Sequence, residues 1–174
     1  MPGFSTLCLH GGWKGDPATT AAAVPVYRTA PFKFNDTKHA ANLFALAELG
    51  NIYSRLMNPT TDVLEKRVAL LEGSLEPAGL AVASGTSANF YALINIAKIG
   101  DNIVASRQLY GGTYTMLCDI FPTMGIEVRF VDGNDPAAFA AAADDKTRAF
   151  FCETCSNPAL EVVDLEAGAC TANI

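Results

Sequence analysis

Clusters of basic residues are missing from this 174-residue chain, in which 12 lysines and arginines face 18 aspartates and glutamates for a net charge of −6. Nucleic acids and anionic membrane surfaces attract positive charge, so neither is expected as a partner. No apolar run approaches the roughly 18 residues that a membrane-spanning helix needs. The first residues, MPGFSTLCLHGG, lack the basic and apolar regions of a signal peptide, so secretion is not expected either.

Cysteine and histidine are too few and too scattered for a disulfide framework or a metal site. The five cysteines are odd in number, which favours reduced thiols in a cytoplasmic protein. Cys152 and Cys155 form a C-x-x-C, but no second pair accompanies them, and His10 and His39 are isolated; no metal is expected. A small redox protein using these two thiols is the weakest alternative, and it would need a thiol of lowered pKa.

The hydrophobic content of 50% and the charged content of 17% indicate a folded core. From residue 58 onward, apolar segments of about five residues alternate with helical patterns of about ten, which predicts an α/β fold with a parallel sheet. The predicted strands are Gly79–Ala83, Asn102–Ser106, Glu127–Val131 and Arg148–Glu153. Four strands are few for such a sheet, whose edges need covering, so the sequence resembles the front part of a larger fold.

Two regions of different character are expected. Residues 1–57 have the pattern of an irregular arm with one helical stretch that ends at Gly50. Residues 58–174 have the regular pattern expected of the first, incomplete part of a larger domain. That part begins with a helix in which Asn58 is the N-cap and Pro59 the first residue, and Gly73 closes it.

Two segments could hold a phosphate. The turn AVASGTSAN places Ser84, Gly85 and Thr86 where a strand gives way to a helix, and free amides at such a helix start attract anions. Tyr53 and Arg55 are two apart in an extended segment, so their side chains are expected to point the same way. Both could then bind the same phosphate. The alternatives are a plain tight turn for the first segment and a surface arginine beside a half-buried tyrosine for the second.

Two further segments could contact a flat ring. Tyr110 precedes two glycines, so its ring could lie against a heterocycle, or it could simply fill a gap in the core. Asn157 follows the last predicted strand, at the edge where open α/β sheets bind ligands. Its amide could hydrogen-bond a phenolic or carboxylate oxygen, or it could belong to an Asx-type turn.

Taken together, the stretches VPVYRTAPFKF, NIYSRLMNPTTDVLEKRVALLEG, AVASGTSA, RQLYGGTY and ETCSNPALEVVDLEA resemble the Cys/Met-metabolism family of pyridoxal-phosphate enzymes. The resemblance runs from about Thr6 to Ala167. It implies the fold type I, aminotransferase-like architecture, with pyridoxal 5′-phosphate as cofactor. Within the family, LYGGTY is similar to the O-acetylhomoserine sulfhydrylase group, and Thr115 stands where cystathionine γ-synthases and γ-lyases usually have an arginine.

The resemblance also implies roles for the phosphate-binding candidates. Gly85 and Thr86, with Ser84 beside them, would bind the cofactor phosphate through backbone amides. Tyr53 and Arg55 would reach the phosphate in a neighbouring subunit. The protein would then be a homo-oligomer, a dimer or a homotetramer, with shared active sites.

For the ring-binding candidates, the resemblance implies that Tyr110 stacks on the pyridine ring and assists proton transfer. Asn157 would bond the phenolic oxygen of the cofactor or the carboxylate of the substrate. The implied reaction is γ-replacement in methionine biosynthesis, in which O-acetylhomoserine and sulfide give homocysteine and acetate. A cystathionine γ-synthase or γ-lyase is the alternative within the family.

One departure from the family pattern bears on activity. Family members are more than twice this length, and their Schiff-base lysine, pyridine-nitrogen aspartate and substrate-binding arginine have no counterpart here. The six lysines of this chain all lie in segments where the family has no such lysine. We therefore expect the isolated chain to be inactive, either as a fragment of the enzyme or as a non-catalytic remnant.

Overall fold

The computed structural model describes residues 2–74 and 79–172, with side chains as far as Ala169. By its internal contacts the chain divides into two compact units, Met1–Ala81 and Val82–Ile174. The predicted division into an N-terminal arm, residues 1–57, that contacts a neighbouring subunit, and a large domain from residue 58 stays a prediction. No helix in the described ranges has both the length and the hydropathy to cross a membrane.

The described residues of the first unit form three helices, α1 (Phe4–His10), α2 (Thr37–Phe44) and α3 (Pro59–Leu71). The prediction that the segment around α1 is irregular was wrong. Helix α1 has only seven residues, fewer than the roughly 11 over which apolar periodicity is read, and none of them is buried. It lies against α3, where Arg67 Nε donates a hydrogen bond of 2.9 Å to the Gly11 carbonyl.

Local signals at the ends of α2 and α3 have different outcomes. Asn58 caps α3 as predicted, accepting from the Thr60 amide at 2.9 Å, and Gly73 follows its end with φ +82°. Helix α2 ends at Phe44, not near the predicted Gly50. Leu46 adopts φ +55°, a left-handed conformation that stops the helix.

The second unit is built on a parallel sheet of three strands, β1 (Asn102–Ser106), β2 (Glu127–Val131) and β3 (Thr147–Phe151), in the order β2-β1-β3. Val104 pairs with Arg129 on one side and with Phe150 on the other. Helical segments accompany the strands. They are α4 (Gly85–Ile96), α5 (Gly111–Thr115), a π-helical turn (Met116–Ile120) that leads into α6 (Phe121–Thr123), α7 (Pro136–Ala142) and α8 (Leu165–Ala172).

Both faces of the sheet are covered, which confirms the predicted α/β class. Val104 and its neighbours Ile103 and Ala105 are completely inaccessible to solvent. Such a strand, apolar on both faces, is typical of the centre of a parallel sheet. On one face the main core joins Leu93, Ala97, Ile103, Ala105, Leu109, Met116, Leu117, Phe121 and Ile126. Elsewhere in the unit, Phe139 of α7 packs against Phe150 of β3, with ring centroids 5.4 Å apart.

The strand predicted over Gly79–Ala83 does not form, so the described residues hold three strands and not four. A strand needs a neighbour to which its amides and carbonyls can bond. Here the Ala81 amide donates to a carboxylate oxygen of Glu65 at 2.8 Å, and Leu80 remains 77% exposed. The apolar composition of the segment was not sufficient to predict this outcome.

Candidate cofactor site

The start of helix α4 presents unpaired amides to solvent. Ser84 is the N-cap, and its Oγ accepts a hydrogen bond of 3.1 Å from the Ser87 amide. The amides of Gly85 and Thr86, the first two residues of the helix, have no acceptor in the part of the chain that the structure describes. The first turn carries no acidic residue, so the positive end of the helix dipole is left for an anion.

An open groove of about 470 Å³ runs between the starts of α4 and α5. Thr86 and Ser87 line one side, and Gly111 and Gly112 line the other. The two helices are linked by a hydrogen bond of 3.4 Å from Asn89 Nδ2 to Thr113 Oγ1. The structure thus brings Thr86 of the predicted phosphate seat and the residues that follow Tyr110 to the same groove. Ser84 and Gly85, the other two residues of that seat, precede Thr86 and do not line the groove. Its apolar lining is completed by Phe90, Tyr91, Met116 and Ile120.

Tyr110 lies between β1 and α5 with its side chain 53% exposed. Its ring rests against Gly112, because a Cβ at that glycine would come within 2.6 Å of Tyr110 Cε1. The backbone is held at both ends. The Tyr110 amide donates to Glu153 Oε1 at 2.8 Å, and its carbonyl accepts from the Tyr114 amide at 2.9 Å. The half-exposed ring does not fill a core gap, which removes that alternative.

Asn157 lies in an exposed turn beyond β3 and does not line the groove. Ser156, which is buried, organises this turn: its amide donates to the Glu161 carbonyl at 2.8 Å, and its Oγ accepts from the Glu161 amide at 3.0 Å. The Asn157–Pro158 peptide bond is cis. The role of Asn157 as a ligand of a ring or carboxylate oxygen stays a prediction.

Tyr53 and Arg55 belong to the first unit, where the loop that carries them is firmly held. The Ser54 amide donates to the Ala30 carbonyl at 2.8 Å, and Asn58 Nδ2 donates to Ser54 Oγ at 2.9 Å. The Arg55 guanidinium carbon lies 5.9 Å from the centroid of the Tyr53 ring, and both side chains are exposed. The two side chains therefore lie close together. The segment is not extended, as the prediction from their spacing assumed, because residues 54–56 form a turn.

Arg55 has no carboxylate partner within the described ranges. Its guanidinium retains a full set of donors for an anion such as a phosphate. That this phosphate belongs to a neighbouring subunit stays a prediction.

The lysines of the second unit lie far from the groove. Lys98 follows the end of α4, a helix of 12 residues that separates it from Ser84 by about 18 Å. Lys146 precedes β3, at the edge of the sheet opposite to Tyr110 and Glu153. In the unit that holds the groove, neither of these amines is placed to attach a cofactor.

The thiols give no support to the redox alternative. Burial raises the pKa of the Cys152 thiol, the opposite of what a reactive thiolate needs. Cys8, Cys118, Cys152 and Cys155 are all unpaired. Among the residues that the structure describes, no three or more histidines, cysteines or carboxylates come together as metal ligands.

Sequence reasoning missed two residues that support the site. Glu153 anchors the Tyr110 amide, and Asn58 holds the Tyr53–Arg55 loop in addition to capping α3. The signal for Glu153 was its place as the last residue of a predicted strand, at the edge where ligands bind. For Asn58 the cap was foreseen, but its contact with Ser54 depends on the path of the loop.

The comparisons with known proteins agree with this geometry. A family model described as Cys/Met metabolism PLP-dependent enzyme matches residues 5–173. The chain belongs to that family. Pyridoxal phosphate is the cofactor of the family, as predicted.

Individual relatives point in the same direction. The O-acetyl-L-homoserine sulfhydrylase of Leptospira meyeri is 59% identical over 162 residues, which cover 93% of this chain and 36% of that protein. A crystal structure described as an O-acetylhomoserine (thiol)-lyase from Campylobacter jejuni, containing a pyridoxyl-lysine phosphate, matches with a TM-score of 0.91 and 41% identity. A cystathionine γ-lyase from Lactobacillus plantarum matches with a TM-score of 0.84 and 31% identity. Both structural matches cover 99% of this chain and 42% of the other.

The residues of the groove fit a phosphorylated ring. A Cβ placed at Gly85 would meet no atom within 4 Å, so an anion can approach the amides of Gly85 and Thr86 without obstruction. Gly111 and Gly112, which follow the exposed Tyr110, line the other side of the groove. These residues would hold the phosphate and the ring, whereas the covalent attachment needs an amine that the described part of this unit does not place there.

Proposed function

We propose that this chain forms the phosphate- and ring-binding part of a pyridoxal-phosphate enzyme that catalyses γ-replacement. O-acetylhomoserine and sulfide would be converted to homocysteine and acetate in the cytoplasm. The observation that carries the proposal is the groove that Thr86, at the start of α4, lines together with Gly111 and Gly112, the residues following Tyr110. The 59% identity to a sulfhydrylase supports the choice of substrates.

The chain's own residues would bind and orient. The amides of Gly85 and Thr86, in the field of the α4 dipole, would donate hydrogen bonds to the phosphate, and the Thr86 hydroxyl lies nearby as a further donor. Tyr110 would cover one face of the ring and exclude water from it. When bound, the cofactor supplies the electron sink, and the protein determines which substrate bond lies in position to break.

Arg55 and Tyr53 complete the proposal as phosphate ligands contributed by a neighbouring copy of the chain. The support is their exposure on a rigid loop and the free donors of the Arg55 guanidinium. Such a shared site requires a homo-oligomer, and a two-fold arrangement would exchange the two loops reciprocally.

A variant of Gly85 tests the phosphate site without harming the fold. Proline is favoured at the first position of a helix, and Ser84 before it has the extended conformation (φ −159°, ψ 159°) that proline requires. Gly85→Pro removes one amide donor, and Gly85→Ala keeps it. We expect the proline variant to bind pyridoxal 5′-phosphate about tenfold more weakly than the alanine variant, measured by equilibrium dialysis. Equal binding by the two variants would refute the proposed donor.

We also propose that the 174 residues alone are catalytically inactive, since Lys98 and Lys146 lie away from the groove. Borohydride treatment in the presence of pyridoxal phosphate should then trap no adduct at a specific lysine. A trapped lysine, found by peptide mass spectrometry, would contradict this. The intact mass of the native protein completes the test: a mass more than twice 18.4 kDa would locate the reaction in a longer protein.

The choice of reaction is tested by product analysis of the active protein. Homocysteine formed from O-acetylhomoserine and sulfide supports the sulfhydrylase. Cystathionine formed with cysteine as the co-substrate would support a cystathionine γ-synthase, and breakdown of cystathionine would support a γ-lyase, for which the 31% identity to the Lactobacillus protein is the weaker argument.

A further inference from the structure

We propose that Glu153 is a positioning residue for the cofactor ring: its carboxylate fixes the backbone of Tyr110 and thereby the plane in which the Tyr110 ring is presented. The proposal rests on the proposed function, because it assumes that Tyr110 faces the ring. Glu153 itself need not touch cofactor or substrate.

The backbone amide of Tyr110 cannot be satisfied within its own helix. It stands at the N-cap position of α5, and the Tyr110 side chain makes no capping hydrogen bond. Glu153 Oε1 accepts this amide at 2.8 Å, across 43 residues of sequence. A hydrogen bond to a charged carboxylate is roughly twice as strong as one between neutral groups.

The anchor is rigid at its other end. Glu153 is partly buried and lies two residues beyond β3, which pairs directly with β1 in the sheet. The carboxyl ends of neighbouring parallel strands meet at one edge. Tyr110, four residues beyond β1, therefore lies within reach of Glu153 without any distortion of either strand.

The other contacts of this loop do not fix the orientation of the peptide plane between Leu109 and Tyr110. Leu109 is buried, and its amide donates to the Arg107 carbonyl at 3.1 Å, while the Tyr110 carbonyl belongs to the helix. The peptide plane between Leu109 and Tyr110 can rotate about the flanking φ and ψ angles, and the hydrogen bond to Glu153 fixes its orientation. With this plane fixed, the Tyr110 ring lies against Gly112, and Tyr110 is about half exposed. Without the hydrogen bond, rotation of the plane would let the ring leave that position.

Three variants of the glutamate separate positioning from general stability. Glu153→Ala removes the acceptor, Glu153→Asp keeps the charge but shortens its reach, and Glu153→Gln keeps a neutral acceptor at the same length. The matched control is Glu161→Ala. Glu161 is an exposed carboxylate of the same unit that also accepts a distant hydrogen bond, from Asn134 Nδ2 at 2.8 Å.

Two measurements on the purified chain make the test. The first is amide hydrogen exchange of Tyr110 by NMR, and the second is the dissociation constant of pyridoxal 5′-phosphate by equilibrium dialysis. For Glu153→Ala we expect exchange at Tyr110 to be tenfold or more faster, and cofactor binding to be about tenfold weaker, with other amides of the sheet unchanged. Glu153→Gln and Glu161→Ala should stay within about threefold of the parent in both measurements.

Each contrary result has a definite meaning. Normal binding by both the parent chain and Glu153→Ala would overturn the positioning role and leave the cofactor site intact. No binding by the parent chain would overturn the proposed function and this inference together. If Glu153→Ala yields no folded protein, Glu153→Asp makes the same comparison, and binding by that variant at the parental level would overturn the proposal.

Discussion

The side-chain Nδ2 of Asn102 donates a hydrogen bond of 2.7 Å to Oδ1 of Asp144, at the edge of the sheet opposite to the groove. Asn102 is almost completely buried at the start of the central strand, and Asp144 lies in the loop between α7 and β3. Asp144 also accepts the Lys146 amide at 2.9 Å and forms an ion pair of 2.9 Å with Arg129. The Asp144 carboxylate therefore connects the start of β1, strand β2 and the segment before β3.

The pH dependence of stability should follow from Asp144. Its hydrogen bond from Asn102, then that from the Lys146 amide, and its pairing with Arg129 lower its pKa to about 2. In the unfolded chain an aspartate has a pKa of about 3.9. Because the folded-state pKa is the lower one, the stabilisation is fully present above pH 4 and is lost as the pH falls from about 4 through 2.

The measurement for Asp144 is the urea midpoint of unfolding at several values between pH 6 and pH 2. The Asp144→Asn variant should be less stable than the parent chain at pH 6, and the difference should shrink toward pH 2. Asp145→Asn is the control, since no hydrogen bond or ion pair of the Asp145 side chain occurs among the described residues. A constant difference across the range would contradict the assignment to Asp144.

Asn58 should be important for the loop that carries Tyr53 and Arg55. Its side chain makes three hydrogen bonds of 2.9 Å, with the Thr60 amide, the Tyr27 carbonyl and Ser54 Oγ. Asn58→Ala loses the helix cap and leaves a backbone acceptor unpaired, so the free energy of unfolding should fall by about 2 to 3 kcal/mol.

Urea denaturation measures the effect of Asn58, and two further variants interpret it. Asn58→Asp keeps the cap but loses both donors, so its loss should be intermediate. Asn51→Ala alters an exposed asparagine of the same segment and should have no measurable effect. Equal losses for Asn58→Asp and Asn58→Ala would mean that the cap contributes nothing.

Gly133 should tolerate no side chain, because a Cβ there would lie 2.4 Å from Ser106 Oγ and 3.1 Å from Ser106 Cβ. Ser106 is buried, and its hydroxyl bonds to Gln108 at 2.9 Å, so it cannot move aside freely. We expect Gly133→Ala to lower the free energy of unfolding by about 1 to 3 kcal/mol.

Thermal unfolding compares Gly133→Ala with Gly168→Ala, a helical glycine whose added Cβ would meet no atom within 4 Å. The second variant should be neutral or stabilising by about 0.5–1 kcal/mol, because alanine restricts the unfolded chain. Adding Ser106→Ala to Gly133→Ala should recover part of the loss. Strictly additive losses would show that the two residues are not in steric conflict.

A shared cofactor site predicts complementation between two defective chains. Arg55→Ala and Gly85→Pro should each weaken binding of pyridoxal phosphate when studied alone. In a mixed dimer, one of the two sites combines the intact Gly85 of one subunit with the intact Arg55 of the other. Refolding the two variants together at equal concentration should restore about a quarter of the sites, measured by equilibrium dialysis. No recovery in the mixture would argue against sharing.

Much of the fold could be predicted because its signals are local. The strands Asn102–Ser106 and Glu127–Val131 occur where apolar runs of five residues stand between turns, and β3 differs from its prediction by one or two residues at each end. Asn58 and Pro59 carry their own helix-start chemistry. By contrast, α1 has only seven residues, too few for the apolar pattern by which a helix is recognised.

The sequence by itself determined the family, the α/β class, the helix caps and the types of residue offered to a phosphate and a ring, because each depends on neighbours a few positions apart. The tertiary structure decided that residues 79–83 form no strand and that Glu153 accepts a hydrogen bond from the backbone amide of Tyr110. Both depend on which distant segments meet. A hydrogen bond across 43 residues exists only once β1 and β3 lie side by side, and no local pattern contains that information.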